Sequence, residues 1–284
     1  MKNNIRSALV NLLANTLGNV LVFFLPKKAA RLKHEGLTVI MKDHKLSFGD
    51  RLMRRAILKK VEKRNNPSQL SKLHDNYWIN QGHVFFSATE NELQENHLPR
   101  TQFIFDTLKN KISESQTPVK TLVEIGSGNG IVLDYLSNHF NTIENFVGID
   151  LSEIQTEKNN EKYKDNTRLK FVADDGFEWF KKQGHDNMIL VTFRGVLEYF
   201  TEEKLQDFFN YLGTLKNILI VTIEPICANH NLEKQKASQV YGAERSFSHN
   251  YPHLLKKSGF KIWHHSKHKE EGFPHFMSFN GASN

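Results

Sequence analysis

The sequence predicts an α/β protein: a doubly wound, mostly parallel seven-stranded sheet with an N-terminal helical extension. Three observations carry this. Short apolar runs alternate with helix-like segments from Pro99 to the end of the chain, a glycine-rich loop follows the first run, and only a loop separates the last two runs. Alternation implies parallel strands joined by crossover helices. The closing pair implies two antiparallel strands.

The elements follow in order. A helical stretch from Pro99 to Ser113 precedes TLVEIG, the first strand, and a helix carried by Ile131, Leu133, Tyr135 and Leu136. NFVGID is the second strand, with a polar helix from Ser152 to Lys164 after it. LKFVADD is the third, followed by a helix from Phe177 to Lys182, and MILVTF is the fourth, followed by one from Thr201 to Leu212. NILIVTIEP is the fifth. A helix from Tyr251 to Lys257 then leads to FKIWHH and HFMSFN.

Charge divides the chain. Up to Asn66 there are 15 Lys/Arg against 4 Asp/Glu, a net of +11, and the remainder carries 23 against 27, a net of −4. A basic arm ahead of a slightly acidic body suits an anionic lipid or nucleic-acid surface, although a solvated basic face has the same composition. The single cysteine, Cys227, excludes an internal disulfide framework and a cysteine zinc site. It fits a reducing, cytoplasmic location and reads as a small buried residue.

Ser7 to Lys28 is the most apolar segment, and Ser7, Asn11, Asn15 and Asn19 recur every fourth residue. On a helix that spacing draws one polar stripe along an apolar cylinder. Lys27, Lys28, Arg31 and Lys33 follow. The favoured reading of residues 1–33 is a basic amphipathic helix lying on a membrane surface. A helix packed on its own domain or a dimer mate ranks next, then a true span. Peripheral attachment to the inner face of a membrane follows from the first. FGDRLMRRAILKKVEKR reads as a second basic helix, with Asp50 as N-cap and Leu52, Ala56 and Val61 near one face. Residues 34–98 are expected to form a helical cover on the substrate side, since Tyr77, Trp78, Phe85 and Phe86 are too many rings for a linker. Residues 99–284 form the main domain.

The loop Gly126-Ser127-Gly128-Asn129-Gly130 ends the first strand, where open α/β sheets bind ligands. Ile131 stands where a dinucleotide fingerprint needs a small residue. Glu124 can receive an ammonium group but gains nothing from a pyrophosphate. Asp150 ends the second strand, where an acid accepts ribose hydroxyls, and Asp174 and Asp175 end the third, near an adenine edge. Acids after successive strands suit a cationic nucleoside with an amino-acid tail.

On VEIGSGNG, FVGIDLS, FVADDGFEW, LVTFRGVLEYF and ILIVTIEP, in that order and spacing, the chain from Pro99 onward resembles the Rossmann-like, seven-stranded (class I) S-adenosylmethionine-dependent methyltransferases. The resemblance implies that Gly126, Gly128 and Gly130, with Ser127 among them, approach the cofactor S-adenosylmethionine, with Glu124 near its methionine part. It implies that Asp150, followed by Leu151, takes the ribose, and that Asp175, preceded by Asp174, takes the adenine edge. Arg194, Gly195 and Glu198 are implied to lie under the methionine and methyl group, although an arginine is unusual at the first of these positions.

The stretch Phe193-Arg194-Gly195-Val196 lacks the [DN]-P-P-[YF] pattern of enzymes that methylate base nitrogens, and Cys227 lacks the Pro-Cys order of cytosine C5 chemistry. A hydroxyl acceptor calls for a base. His249, in the loop before the helix that follows the fifth strand, is the first candidate, with Glu224 and His230 behind it. His264 to Gly272 reads as an exposed polar loop, with no metal site. The expected activity is O-methylation of a small or lipid-linked acceptor. The alternatives are an RNA or protein methyltransferase using the basic arm and a cofactor-binding module without catalysis.

Overall fold

Residues 12–38, 46–115, 117–270 and 275–284 are described in a computed structural model of the chain. The strands are β1 (Thr121–Ile125), β2 (Asn145–Asp150), β3 (Leu169–Ala173), β4 (Met188–Phe193), β5 (Ile218–Cys227), β6 (Gln239–Tyr241), β7 (Ser246–Ser248), β8 (Lys261–Lys269) and β9 (His275–Ser283). Seven form one sheet of order β3-β2-β1-β4-β5-β9-β8, and β6 and β7 pair separately. The first five sheet strands are parallel, and β9 pairs antiparallel with both β5 and β8. The strand order reverses between β1 and β4, so the turns after these two strands flank the crevice where such sheets take ligands.

Successive strand residues serve opposite layers, as the two-residue pleat requires. Leu122, Val191 and Leu219 face one layer, with Phe105 and Leu108 of Leu98–Glu114 and Leu133 and Leu136 of Ile131–His139. Val123, Leu190 and Ile220 face the other. Trp179 and Phe180 of Gly176–Gln183, Phe208 and Phe209 of Glu202–Thr214, and Leu254 of Tyr251–Lys257 cover them.

The chain divides into two compact units. One comprises the chain up to Gln81 together with Ala243–Ser246, and the other comprises Gly82–Gly242 and Phe247–Asn284. In the first, residues 12–24 are helical, with a π-helical stretch at Ala14–Gly18 and an α-helix α1 at Asn19–Phe24. Pro26 opens α2 (Pro26–Glu35), and Phe48–Lys63 forms α3. Buried Arg54 donates to Leu37 O, and buried His74 pairs with Thr38. No helix among the described residues is long and apolar enough to cross a membrane. Ser7 and Asn11 of the polar series lie outside the described residues, and Asn15 and Asn19 are exposed.

Three local expectations are corrected. The N-cap of α3 is Ser47, whose Oγ accepts from the backbone N–H of Asp50, while the Asp50 carboxylate pairs with Lys28 at 2.6 Å. His264 to Lys269 is part of edge strand β8, not a loop, because His264 and His268 pack on Phe103 while neighbouring positions meet solvent. Gly272 lies outside the described residues. Cys227 is the last residue of β5 and only half-buried, since the strand runs out of the core there. In residues 12–24 Leu17 is exposed, and Leu13 and Leu21 are half-buried.

Candidate functional site

At the end of β1 the chain turns through Gly126, Gly128 and Gly130 with φ of 72°, 49° and 78°. Side chains rarely adopt that region. A Cβ at Gly126 would lie 2.4 Å from Val196 Cγ2, and one at Gly130 would lie 2.7 Å from Phe171 Cζ and Tyr163 Cε2. The loop is anchored from three sides. Gly126 and Ser127 donate their N–H groups to Ile149 O at 2.7 and 3.0 Å. Asn159 Nδ2 donates to Gly128 O at 2.7 Å, and Tyr163 Oη donates to Asn129 O at 3.2 Å. Phe86, near the end of helix Pro67–Glu92, rests against Gly128, its Cε1 3.0 Å from where a Cβ would sit.

Asp150 closes β2 and organises the same turn. Gly128 N–H donates to Oδ2 and Ser152 N–H to Oδ1, each at 3.0 Å. Burial pushes its carboxyl up to about 6, against the pull of those N–H groups. Leu151 beside it is half-buried. Glu124 lies on β1 opposite Gly148, and its side chain is buried. Burial, with the nearby Asp150 charge, raises its pKa well above the ordinary value. Glu124 Oε2 and Ser127 Oγ are both buried without a hydrogen-bond partner. Buried polar atoms ordinarily find partners, so these two are open to a donor from outside the chain.

The acids after β3 serve the turn itself. Asp175 caps Gly176–Gln183, with Oδ1 accepting from Phe177 N–H and Glu178 N–H, and its Oδ2 pairs with Lys204 at 2.6 Å. Asp174 accepts from Asp175 N–H and pairs with Lys182 at 2.9 Å. The two acids are thus brought to the crevice rim already engaged.

After β4 two consecutive residues, Arg194 and Gly195, take φ of 60° and 96°. Glu224, fully buried on β5, holds the chain beyond them. Its Oε1 accepts from Thr192 Oγ1 at 2.6 Å, and its Oε2 accepts from Val196 N–H and Leu197 N–H at 3.0 and 3.1 Å. Burial pushes its carboxyl up to about 7 despite these donors. The Arg194 guanidinium forks onto Glu270, with Nη2 3.1 Å from Oε2. Glu270 is held down at about 2, because hydrogen bonds from His275 and Arg194 and the guanidinium charge outweigh burial.

Glu198, in the short Leu197–Tyr199 turn, is 8% exposed, and its Oε1 lies 2.7 Å from where a Cβ on Gly195 would be. Tyr241 Oη donates to its Oε2 at 2.8 Å. Tyr251 joins the group from the start of its helix. Its hydroxyl is buried without a hydrogen-bond partner, and burial with the charges of Glu224 and Glu198 raises its pKa well above the ordinary value. Two acids and two phenols thus gather at the carboxyl ends of β4 and β5. The sequence named both acids but neither tyrosine. QVYGAERSFS alternates around a glycine, and that hairpin pattern was the available signal for Tyr241.

The histidines sit elsewhere. His249 is sealed in the core, where Nε2 faces Phe200 O at 3.1 Å and Nδ1 faces Ser238 Oγ at 2.6 Å. A carbonyl requires Nε2 to donate, so Nδ1 accepts from the serine and neither nitrogen is left to take a substrate proton. Burial lowers the ring to about 4. His230 is buried with Nδ1 2.9 Å from Ser248 Oγ.

This topology, with a glycine turn after β1 and acids after β2 and β3, defines a class I, S-adenosylmethionine-dependent methyltransferase. Residues 94–265 match a family model described as a methyltransferase domain, more than half of the chain, and the chain belongs to that family. No curated protein matches. Among solved structures, the geranyl diphosphate C-methyltransferase of Streptomyces coelicolor A3(2) is 14% identical with a TM-score of 0.51, covering 70% of this chain and 83% of its own. Magnesium protoporphyrin IX methyltransferase of Synechocystis PCC 6803, with bound S-adenosylmethionine, is 14% identical, with a TM-score of 0.45 and coverage of 65% and 79%. The N-methyltransferase NodS of Bradyrhizobium japonicum WM9 is 13% identical, with a TM-score of 0.47 and coverage of 70% and 97%. At these identities the likeness is one of fold.

The cofactor of this class fits the residues present. The glycine backbone, the carboxylate of Asp150 and the two orphaned oxygens of Glu124 and Ser127 supply what a nucleoside with an ammonium-bearing tail requires.

Proposed function

We propose that this methyltransferase transfers a methyl group to a hydroxyl or carboxyl oxygen of a small or lipid-linked acceptor, working peripherally at a membrane face. The observation that carries the oxygen acceptor is the carboxylate of Glu198, oriented by Tyr241 and placed beside Gly195 at the end of β4. S-adenosylmethionine, when bound, supplies a methyl group already activated on a sulfonium. The chain then has three tasks: to align the acceptor oxygen, to exclude water and to remove a proton.

In this reading Gly126, Ser127, Gly128 and Gly130 bed the cofactor, Glu124 takes its ammonium group and Asp150 its ribose. Asp174 and Asp175 fix the turn against which the adenine lies. Glu198 takes the proton of a hydroxyl acceptor, and Tyr241 holds it in place. Glu224 keeps Val196 and Leu197 in position and does not meet the acceptor, since Thr192 and two backbone N–H groups occupy its oxygens. His249 and His230 support the segment that carries Tyr241. The likeness to an enzyme of geranyl diphosphate supports the size class of the acceptor.

The test is Glu198→Gln, assayed by transfer of labelled methyl to fractionated cell extract, with cofactor affinity measured by calorimetry. Turnover should fall roughly 10²–10⁴-fold while cofactor affinity stays nearly constant. Unchanged turnover, or a loss of affinity that accounts for the whole effect, removes Glu198 from proton transfer.

A further inference from the structure

We infer that the first helix docks through its outer face on an anionic lipid bilayer, with Phe23 and Phe24 as the inserted rings. The inference rests on the peripheral reading and adds the docking face. Helices of water-soluble domains turn their large apolar residues inward, and residues 12–24 do the reverse. The buried positions are Ala14 and Gly18, and a Cβ on Gly18 would lie 2.6 Å from Leu52 O and 3.1 Å from Ala56 Cβ. Leu12, Leu17, Val20, Phe23, Phe24 and Leu25 face outward, with Phe23 77% and Phe24 71% exposed. At the adjoining start of α3, Phe48 is 64% exposed, and Leu21 Cδ1 lies 3.7 Å from where a Cβ on Gly49 would sit.

Cations adjoin this face on one side. Pro26 breaks the helix directly after the rings, Lys27 and Lys33 of α2 are exposed, and Lys28 reaches Asp50 at the head of α3. Apolar rings with lysines one turn away match the boundary between acyl chains and anionic headgroups, where each part is stabilised by its own layer.

Two other occupants fit less well. A second copy of the chain would bring together two segments that each carry 15 Lys/Arg against 4 Asp/Glu up to Asn66. The small residues through which helices approach closely, Ala14 and Gly18, are already packed inward. Single-stranded RNA stacks on rings and pairs with cations, but it gains nothing from exposed Leu12, Leu17, Val20 and Leu25.

The full-length protein should sediment with phosphatidylcholine vesicles that contain phosphatidylserine and much less with phosphatidylcholine alone. Salt should weaken this binding without abolishing it. Phe23→Ser/Phe24→Ser should lower vesicle partitioning roughly tenfold or more with cofactor affinity intact, because both side chains are in solvent. A Phe23→Trp variant should be quenched by lipids brominated high on the acyl chain. If the double serine variant binds vesicles like the parent, the docking face is wrong while peripheral attachment stands. If the parent ignores anionic vesicles, both ideas fail, whether it pellets with RNA instead or forms a dimer that the serine variant loses.

Discussion

The catalytic body and the N-terminal helices dispose their polar and apolar groups in opposite ways. In the body, large apolar side chains fill both faces of the sheet, and two of the buried polar atoms left without partners, Glu124 Oε2 and Ser127 Oγ, lie at the glycine turn. In the helical unit the close contact between residues 12–24 and α3 is made by Ala14 and Gly18, while phenylalanines point outward. The unpartnered oxygens of one region lie inside it at the glycine turn, while the other region carries its large apolar side chains on an outer helix face. On the readings proposed above, the first would meet a charged small molecule and the second an apolar layer.

The sharpest way to break this contrast is to substitute a glycine of each region and compare the losses. Gly130→Val puts a branched side chain at φ of 78°, against Phe171 and Tyr163. Cofactor affinity should fall by about 3 kcal/mol or more, roughly a hundredfold, in calorimetry. Retained affinity would show that the loop tolerates what its geometry forbids. Gly18→Leu presses a side chain onto Leu52 O and Ala56. It should destabilise the helical unit by about 1–3 kcal/mol in denaturant titration and leave cofactor affinity unchanged.

The smallest effect is a slope. Glu124 has its pKa raised by burial and by Asp150, and a bound ammonium group favours its carboxylate. Cofactor binding therefore releases a proton wherever the pH lies below that raised pKa, and affinity should rise with pH by at most about tenfold per unit. Calorimetry in buffers of different ionisation enthalpy measures the proton directly. Affinity that is flat with pH, and no released proton, would show that Glu124 does not receive the ammonium. Thermal stability alone is a poorer readout, because opposing groups act in one window. Asp150, raised to about 6, contributes stability that is lost as pH rises from its ordinary value through about 6. His249 and His74, both lowered to about 4 by burial, contribute stability that is present above 6.5 and lost as pH falls towards 4.

The sheet was legible because its parallel strands are buried on both faces, and runs such as MILVTF and NILIVTIEP are mostly apolar, with only a few polar residues such as Thr192, Thr222 and Glu224 among them. Edge strand β8 was half legible, because KIWHHSKHK has solvent on one side and hides its packing in histidines. The glycine turn, Glu124 and Asp150 were legible because each holds a fixed offset from a strand end. The site beyond β4 was less so. Position along the chain favoured His249, but only tertiary packing fixes which nitrogen donates and whether solvent reaches it. Tyr241 and Tyr251 come to Glu198 and Glu224 from far along the sequence, and no local pattern records such a meeting. In residues 12–24 the periodicity of the asparagines was real, yet Ala14 and Gly18 decided which side turned inward. A close helix contact selects for absent side chains, and hydropathy gives those little weight.

Phe86 lying on Gly128 offers a way for two binding events to be coupled. A ligand seated on the backbone at Gly128 would share that surface with the ring, and if the ring has to withdraw, only the withdrawn fraction binds the methyl donor at intrinsic strength. An acceptor that draws Phe86 towards itself enlarges that fraction. By thermodynamic reciprocity the donor then strengthens acceptor binding by the same factor. With such an acceptor, this single aromatic contact between helix Pro67–Glu92 and the glycine turn would make the two substrates bind synergistically, each reporting the presence of the other before any methyl group moves.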